Sequence, residues 1–566
     1  MSATGAVVTR KYGSFRGVDF RGDEIHISRS PDSLNVWRDY SGNYGISTRP
    51  GMRVVLEIEE DEEQKGESIY GIFFYKDSIL VHKGSRIIKI ENGQTNQIYG
   101  EAKAAKSEAF VYDGTLYFKD GKNYLCYNGD EMREVDGYTP VTSFNRTPEG
   151  AGDTYNEVNL LQPKRTNTFM ADGKSKTFQL DSTDIDNITP EVTNLYTNEK
   201  LKVEGFDKTA GTVTLEAVPS AAENKVDNIS ITYSKTVQGY AERIKNCTLL
   251  QVFDNRVFVS GNPNYPNSVW HCQLYDPTYF SDQDVYEEGL DPSLIRGLVA
   301  GNNALWVFTE PNDSNTCVFY HTPTIDSEKG KVYPYQHSSV SVGCVGKAIN
   351  FNDDIVFFST TGMEGISGSI TTEQAVAHRS SLVDHKLMKE TAYKDMVLAE
   401  WRGYLMVFIG DKAYLADSRT AFNNDGHKEY DWYYWELEHH ITCACVHDGE
   451  LYLGTANGVY KLDDVNAPVE SWWTTPKDKF NAPNLVKTTN KRGCVVEATG
   501  DITVYSKTEG TEDFTLIGEF NGIKDYFVPR IKEKKFKDIQ LKFHSNTRFS
   551  LETATLEAFI GGYIKR

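Results

Sequence analysis

The stretch that decides the fold is AFVYDGTLYFKDG at residues 109–121, in which two apolar runs flank the pair Asp113–Gly114. Runs rich in Val, Phe and Tyr are typical of β-strands, and an Asp-Gly pair between two of them predicts a β-hairpin. A second stretch, CACVHDGELYLG at residues 443–454, has the same design around Asp448–Gly449. A single hairpin cannot bury both faces, so the number of copies decides the architecture.

Five further stretches share this pattern. They are GIFFYKDSILVHKG around Asp77, LLQVFDNRVFVSG around Asp254, GLVAGNNALWVFTE around Asn302, NFNDDIVFFSTTG around Asp353, and LAEWRGYLMVFIG around Arg402. Most successive turns lie about 36–51 residues apart, and a period of this size with one hairpin per unit is typical of β-propeller blades. The sequence therefore predicts an all-β protein with a propeller of about seven blades, and two stacked β-sandwiches are the alternative fold.

One long gap separates the second turn from the third and predicts an inserted domain at residues 139–240. Its segments KTFQLD and NISITYS alternate apolar and polar residues, which indicates a small antiparallel β-sandwich. The propeller then occupies residues 61–138 and 241–468. Residues 469–566 contain further alternating runs and predict a C-terminal β-sandwich. Residues 1–60 predict an extended arm that ends in a strand closing the propeller ring.

The composition excludes several classes of protein. The 566 residues include 60 Lys plus Arg and 80 Asp plus Glu, a net charge of −20, which argues against a general nucleic-acid binder. Aromatic residues make up 12%, more than a disordered chain has. No apolar run approaches the ~18 residues of a membrane span. Eight cysteines are too few for a disulfide scaffold and predict folding in a reducing cytoplasm.

Motifs for catalysis are not found in the sequence. The glycine-rich segments GCVGKA and GMEGISG lack the spacing of phosphate or dinucleotide loops, and no Gly-x-Ser-x-Gly elbow occurs. Carboxylate pairs for glycoside hydrolysis come from separate strands and leave no local signature. We therefore predict no enzyme activity, no catalytic residues and no cofactor.

One group of residues has a pattern that could hold a metal ion. Cys443, Cys445 and His447 would share one face of a strand, and thiolates with an imidazole are zinc ligands. Free cysteines more often act as small buried apolar residues. We favour that interpretation and predict no metal.

Three segments have the composition of protein interfaces. The arm combines aromatic residues with arginines, the residue types enriched at interfaces, and its candidates are Tyr12, Phe15, Arg16, Trp37 and Arg38. A basic island in this acidic chain includes Lys534, Lys535 and Lys537 and predicts an acidic partner surface. Trp432, Trp435 and Trp472 are possible exposed contact aromatics. We expect that removing residues 1–50 abolishes assembly and leaves the inserted and C-terminal domains folded.

The two chain ends resemble those of a family of virion proteins. The opening segments YGSFRGVDF, SRSPDSLNVW and STRPGMR, with the closing segments FKDIQLKFHSN and SLETATLEAFIGGYIKR, are similar to the β-propeller tail nozzle and packaged-DNA-stabilisation proteins of short-tailed bacteriophages. The resemblance implies a structural tail protein, assembled in the host bacterial cytoplasm, that forms a cyclic ring, usually a hexamer. It also implies a place below the portal and adaptor rings, contact with tail fibres or other tail proteins, and transient contact with the DNA that leaves through its lumen.

Two other functions stay open at this stage. A propeller at the tail tip could bind a receptor or a glycan, and a propeller glycosidase could cleave surface sugars. The acidity has two interpretations as well. An acidic lumen would repel DNA phosphates, whereas a high net charge also keeps a protein soluble.

Overall fold

The computed structural model describes residues 6–22, 24–40, 45–57, 67–314, 316–327, 330–337, 340–366, 376–424, 427–532 and 535–563. Within these ranges the regular secondary structure is almost entirely β-strand. The helices described are Tyr240–Lys245, Asp384–Leu387 and the 3₁₀ turn Tyr393–Asp395. No helix in the described part of the chain is long and apolar enough to cross a membrane.

Seven four-stranded antiparallel sheets follow one another in the described ranges, and we call them blades 1 to 7. Before and just after the inserted domain, blade 1 is Ile69–Tyr75, Ser78–Lys83, Arg86–Glu91 and Gln94–Tyr99, blade 2 is Glu108–Tyr112, Thr115–Lys119, Tyr124–Tyr127 and Met132–Glu134, and blade 3 is Leu249–Phe253, Arg256–Ser260, Ser268–His271 and Val285–Glu287. Blade 4 is Ile295–Gly301, Ala304–Thr309, Val318–His321 and Tyr335–His337, and blade 5 is Ala348–Phe351, Asp354–Phe358, Met363–Ile366 and Val376–His378. Blade 6 is Val397–Trp401, Tyr404–Ile409, Lys412–Asn424 and His427–Glu436, and blade 7 is Cys443–His447, Glu450–Gly454, Gly458–Asp464 and Gly51–Glu57. A two-stranded ribbon, Thr324–Asp326 with Gly330–Val332, extends from blade 4.

The blades form a closed ring, because the first strand of each contacts the first strands of both neighbouring blades. The predicted all-β propeller is therefore confirmed. Each predicted hairpin joins the first and second strands of a blade. In blade 2 the turn residues Asp113 and Gly114 have φ angles of 44° and 71°, the left-handed geometry that an Asp-Gly pair adopts most easily.

Ring closure uses a strand from the N-terminal region. Gly51–Glu57 pairs antiparallel with Gly458–Asp464, so that Glu57 lies opposite Gly458. The last blade therefore combines three strands from the end of the propeller sequence with one strand that precedes the first blade. A pairing of this kind ties the two ends of the ring together.

The inserted domain consists of two sheets around a core of its own. A six-stranded sheet contains Val141–Arg146, Asp153–Thr154, Lys164–Phe169, Glu191–Asn194, Lys200–Leu201 and Ile229–Ser234, and a three-stranded sheet contains Thr177–Gln179, Val203–Asp207 and Thr212–Leu215. Phe169, Phe178 and Ile231 are fully buried in this core. Between the strands, Leu160 returns to the propeller, where it packs in the core of blades 2 and 3. The inserted domain is therefore built from two chain segments, one before and one after Leu160.

The C-terminal region and the arm together form one ten-stranded sheet. Its strands are Ala6–Tyr12, Ser33–Leu34, Val36–Trp37, Ile46–Thr48, Ser471–Thr474, Leu485–Thr488, Cys494–Thr508, Thr515–Phe527, Ile539–Ser545 and Phe549–Tyr563. Four of these strands come from the first 48 residues, so the arm pairs with the C-terminal region of its own chain. The sheet shares a single apolar core with blades 6 and 7.

Candidate binding site between the arm and blade 6

A pocket of about 430 Å³ lies where the arm meets blade 6. It is lined by Trp37, Arg38, Asp39, Tyr40, Arg402, Tyr404 and Arg419. Its volume lies within the range of small-ligand sites, about 300–1,000 Å³. Three arginines in one pocket are notable in a chain with a net charge of −20.

Buried aromatic side chains form the floor of the pocket. The Trp37 ring stacks on that of Trp401 with centroids 5.5 Å apart, and it meets the Trp435 ring edge-on at the same distance. The buried Tyr404 hydroxyl donates a hydrogen bond of 2.7 Å to the carbonyl oxygen of Arg38. The floor therefore fixes the arm against blade 6 and orients the residues at the rim.

Tyr40 and Arg419 form one wall. The Arg419 guanidinium lies 3.6 Å from the Tyr40 ring centroid and donates through Nε to Asp417 Oδ1 at 3.0 Å. The Tyr40 hydroxyl donates to the other oxygen of this buried carboxylate at 2.5 Å. Burial, together with the Asp417 carboxylate, raises the pKa of Tyr40 to about 12, so its hydroxyl remains a donor at neutral pH.

The opposite wall is the hairpin turn of blade 6. Arg402 adopts a φ angle of 48° and is followed by Gly403 at 76°, which places the Arg402 guanidinium 4.6 Å from the Trp401 ring centroid. About 42% of the Arg402 side chain and 36% of the Arg419 side chain are exposed. Guanidinium groups recognise carboxylates and phosphates through paired hydrogen bonds. The pocket can therefore bind an anionic group over an aromatic floor.

Two of the predicted interface residues, Trp37 and Arg38, belong to this pocket, although Trp37 is buried in its floor. Tyr12 and Phe15 are 2% exposed and lie in the core that the arm shares with the C-terminal sheet. Arg16 pairs with the buried carboxylate of Asp431 at 3.0 Å. The expectation that these residues face a partner is therefore wrong for Tyr12, Phe15 and Trp37, because the arm folds onto its own chain.

The prediction of exposed tryptophans is also wrong in two cases. Trp432 and Trp435 are fully buried, and their indole N–H groups donate to the carbonyl oxygens of Arg379 and Val36. The arm covers the strand on which they lie. Trp472 is half-buried, with the Lys542 ammonium 4.1 Å from its ring centroid.

The basic island is exposed where it is described. Lys535 and Lys537 are exposed, and the backbone N–H of Lys537 donates to the Glu509 carboxylate at 2.7 Å. Lys534 lies outside the described residues. The contact of Lys535 and Lys537 with an acidic partner stays a prediction.

Cys443 and Cys445 of blade 7 are partly buried and pack against the apolar cluster between blades 7 and 1. Burial raises the pKa of the Cys443 thiol to about 12 and that of Cys445 to about 11, which opposes the thiolate that zinc requires. His447 stacks on Phe74 with ring centroids 3.8 Å apart. Within the described ranges, no group of three or more His, Cys, Asp or Glu side chains could hold a metal ion.

Blade 5 carries a polar cluster that resembles a catalytic triad in composition alone. His378 contacts Glu364 through Nδ1 at 2.8 Å and Asp384 through Nε2 at 2.5 Å, and the buried Ser380 hydroxyl donates to Asp384. Both ring nitrogens therefore face carboxylates. Since a general base needs a free nitrogen toward its nucleophile, the cluster has the geometry of a structural ion network.

Charged side chains cross the axis of the propeller. Lys106, just before blade 2, donates to the carbonyl oxygens of Asp395 and Met396, just before blade 6, at 2.5 and 3.2 Å. Lys347, before blade 5, lies 3.9 Å from the Glu108 carboxylate on blade 2. Burial and the nearby Lys347 charge lower the pKa of Lys106 to about 8. These contacts join blades on opposite sides of the ring and narrow its central channel.

Sequence reasoning missed Arg402, Tyr404 and Arg419 as members of the pocket. The other hairpin turns contain Asp, Asn, Lys or Gly at the corresponding positions, and Arg402 alone among these described turns brings a guanidinium. Arginine is less favoured at this turn position than Asp, Asn or Gly. This unusual turn residue was the feature of the sequence that could have indicated the pocket.

Comparison with known proteins concerns the fold. No family model matches the chain, and no curated protein does. Among solved structures, BamB from Moraxella catarrhalis is 12% identical, with 72% of this chain and 96% of that chain covered and a TM-score of 0.34. The WD40 domain of Pan2 from Neurospora crassa is 9% identical, with 74% and 95% covered and a TM-score of 0.25. The propeller assignment rests on the seven sheets and their ring of contacts.

Proposed function

We propose that the protein is a structural component of a bacteriophage tail, the nozzle or hub ring below the portal and adaptor, which retains packaged DNA and forms its exit channel. The proposal rests on the chain ends. The segments that resemble tail nozzle proteins occupy both ends of the sequence, and in the fold they meet in one ten-stranded sheet. This sheet shares its core with blades 6 and 7, so an assembly module built from it would be rigidly attached to the propeller.

The exit channel in this proposal lies between copies of the chain. The hydrogen bonds of Lys106 across the propeller axis leave no passage there for a DNA duplex, whose major groove alone is about 12 Å wide. A cyclic arrangement of copies, a hexamer by analogy with the family, would enclose a wider lumen. Each copy contributes a net charge of −20, which disfavours adhesion of the DNA backbone to the wall of that lumen during exit.

The test combines assembly with location. Light scattering of the purified full-length chain, alone and mixed with the adaptor protein of its phage, should show a closed oligomer with about six times the 63.8 kDa chain mass. Cryo-electron microscopy of virions should place the chain below the adaptor. A chain that stays monomeric in both samples and is missing from purified virions would contradict the proposal.

A second candidate function, glycan binding at the tail tip, is favoured by the pocket itself. An aromatic floor beside Arg402 and Arg419 suits a sugar that carries a carboxylate. A glycan array that includes acidic sugars separates the two functions. Saturable binding that is lost in Arg419→Gln supports the receptor function, and release of sugar products would indicate a glycosidase.

A further inference from the structure

We infer that the pocket between the arm and blade 6 binds the acidic segment at residues 57–63 of a second copy of the chain, and so joins copies head to tail. This inference deepens the proposed ring and rests on it. The segment reads EIEEDEE, six carboxylates in seven residues, and it is the most acidic run in the sequence. The pocket contributes Arg38, Arg402 and Arg419 together with one acid, Asp39. Arg419 pairs with Asp417 at 3.0 Å and Arg402 lies 3.9 Å from Glu450, but both guanidinium groups stay more than a third exposed and can accept a further carboxylate.

The two surfaces lie on opposite faces of the propeller. Arg402 is in the turn between the first and second strands of blade 6. Trp401 Nε1 donates a hydrogen bond of 3.0 Å to the Gly449 carbonyl oxygen in the corresponding turn of blade 7, so both turns lie at one face. Glu57 lies opposite Gly458, at the far end of the blade 7 strands. The Ile69 backbone N–H donates to Thr455 at that same far end. The acidic segment is therefore anchored on both sides at the face away from the pocket.

Contact within one chain would stretch the acidic run to its full length. The five-residue strand Glu450–Gly454 separates the two faces by roughly 15 Å. The described residues on either side, Glu57 and Glu67, lie at one face, and a chain of nine residues that starts and ends there spans at most about 16 Å outward. It would also have to pass from blade 7 to blade 6. A second copy brings its acidic segment to the pocket without this detour.

The geometry of such a contact is heterologous, since two different surfaces meet. Heterologous contacts close into a ring when the rotation between copies permits it. The exposed Tyr40, with Arg419 stacked on it, provides the aromatic and arginine anchors that are enriched in such interfaces. DNA phosphates are the other anionic class, and we disfavour them because a duplex needs a basic face along its backbone, whereas the arginines here are confined to one pocket.

A peptide assay tests the contact directly. A fluorescent peptide of residues 57–67 should bind the full-length protein, and the variant Arg38→Gln/Arg402→Asp should bind it at least tenfold more weakly. Aspartate tolerates the left-handed turn position. A peptide with its segment acids changed to amides should not bind, and higher salt should weaken binding. Arg133→Asp, an exposed arginine of blade 2, is the matched control and should bind as the parent does.

A mixing experiment tests the head-to-tail arrangement. The pocket variant keeps its acidic segment, and a second variant with Glu59, Glu60, Glu62 and Glu63 changed to Gln keeps its pocket. Each variant alone should remain monomeric in sedimentation, and an equimolar mixture should form one-to-one dimers. Circular dichroism checks that both variants are folded.

Three results would overturn the inference: failure of the parent to bind the peptide, equal binding by parent and pocket variant, or preferential binding of a short DNA duplex at the pocket. These outcomes are distinguishable from failure of the proposed function. If the chain is found in the tail but does not bind the peptide, only the head-to-tail contact is contradicted. A chain that binds the peptide but is missing from virions loses the tail assignment alone.

Discussion

At the scale of single residues, His378 makes the stability of blade 5 depend on pH. Burial alone would lower its pKa, but the hydrogen bonds to Asp384 and Glu364 raise the pKa to about 10. Between its ordinary value near 6.5 and 10, the folded protein holds a proton that the unfolded chain has lost. The stabilisation is therefore complete below about pH 6.5 and is lost as the pH rises toward 10.

We predict that His378→Gln removes this dependence. The free energy of unfolding of the parent should fall by about 1–2 kcal/mol more than that of the variant between pH 6 and 9, a value reduced for partial solvent screening. Denaturant titrations at several pH values measure it. His385→Gln, an exposed histidine on the adjacent helix, should behave as the parent does. Parallel pH profiles of parent and His378→Gln would show that the ion network contributes nothing.

Trp37 is predicted to act through packing. The ring is 2% exposed and contacts the rings of Trp401 and Trp435, so Trp37→Ala should lower the free energy of unfolding by about 3–5 kcal/mol. Tyr526→Ala, on the C-terminal sheet and 70% exposed, should change it by less than about 1 kcal/mol. Thermal unfolding followed by tryptophan fluorescence compares the two. Equal effects would mean that the Trp37 cluster does not stabilise the fold.

At the scale of elements, local signals were readable and distant ones were not. The hairpins could be predicted because an Asp-Gly or Asn-Asp turn and its two strands lie within about 13 residues, as at Asp113–Gly114. The burial of Trp435 could not be predicted, because its partner Val36 is 399 residues away in the sequence. The pocket has the same origin: Tyr40 and Arg419 come from separate elements that pair only in the folded chain.

The insert should be removable in two pieces. The backbone N–H of Lys235 donates to the Pro163 carbonyl at 3.0 Å, and that of Asn156 donates to the Val141 carbonyl at 2.9 Å. The chain ends left by removing residues 164–234 and 142–155 therefore lie close together. We predict that the double deletion, joined by short Gly-Ser links, leaves a folded propeller, because Leu160 is retained in its core. Removal of residues 164–234 alone would leave Val141–Arg146 paired only with the two-residue strand Asp153–Thr154 and without Lys164–Phe169, and the product should aggregate.

Size-exclusion chromatography and circular dichroism of both deletions measure this. The single deletion is the matched control. A double deletion that aggregates as readily as the single one would mean that the propeller needs the insert in order to fold.

Removal of residues 1–50 should unfold the C-terminal sheet, contrary to the expectation from sequence. The deletion takes away four of its ten strands and exposes the shared core at Ala554 and Leu551, which pair with the arm. We predict an insoluble product or one that binds hydrophobic dyes. Deleting residues 564–566 is the control and should leave solubility unchanged. A soluble, cooperatively unfolding deletion would show that the arm is an independent element after all.

At the scale of the whole molecule, the balance of charge predicts how the protein treats DNA. With 80 acidic and 60 basic side chains, the chain should repel a phosphate backbone, and its arginines are partly engaged with acidic groups, as Arg16 and Arg29 are with Asp431. Non-specific DNA binders owe their affinity to released counterions, an effect that needs a basic face. A channel through which DNA slides needs an acidic surface instead of a basic one.

We therefore predict that the purified protein does not bind a DNA duplex more tightly than about 10⁻⁴ M at physiological salt, and that lowering the salt to 50 mM brings little gain, since few counterions are released. Fluorescence anisotropy with a labelled duplex measures both. A variant in which Glu59, Glu60, Glu62 and Glu63 are changed to Lys is the matched control, because its charge is eight units more positive, and it should gain affinity that falls steeply with salt. Tight binding by the parent with a steep salt dependence would reveal a basic DNA-binding face, and the acidity would then serve solubility alone.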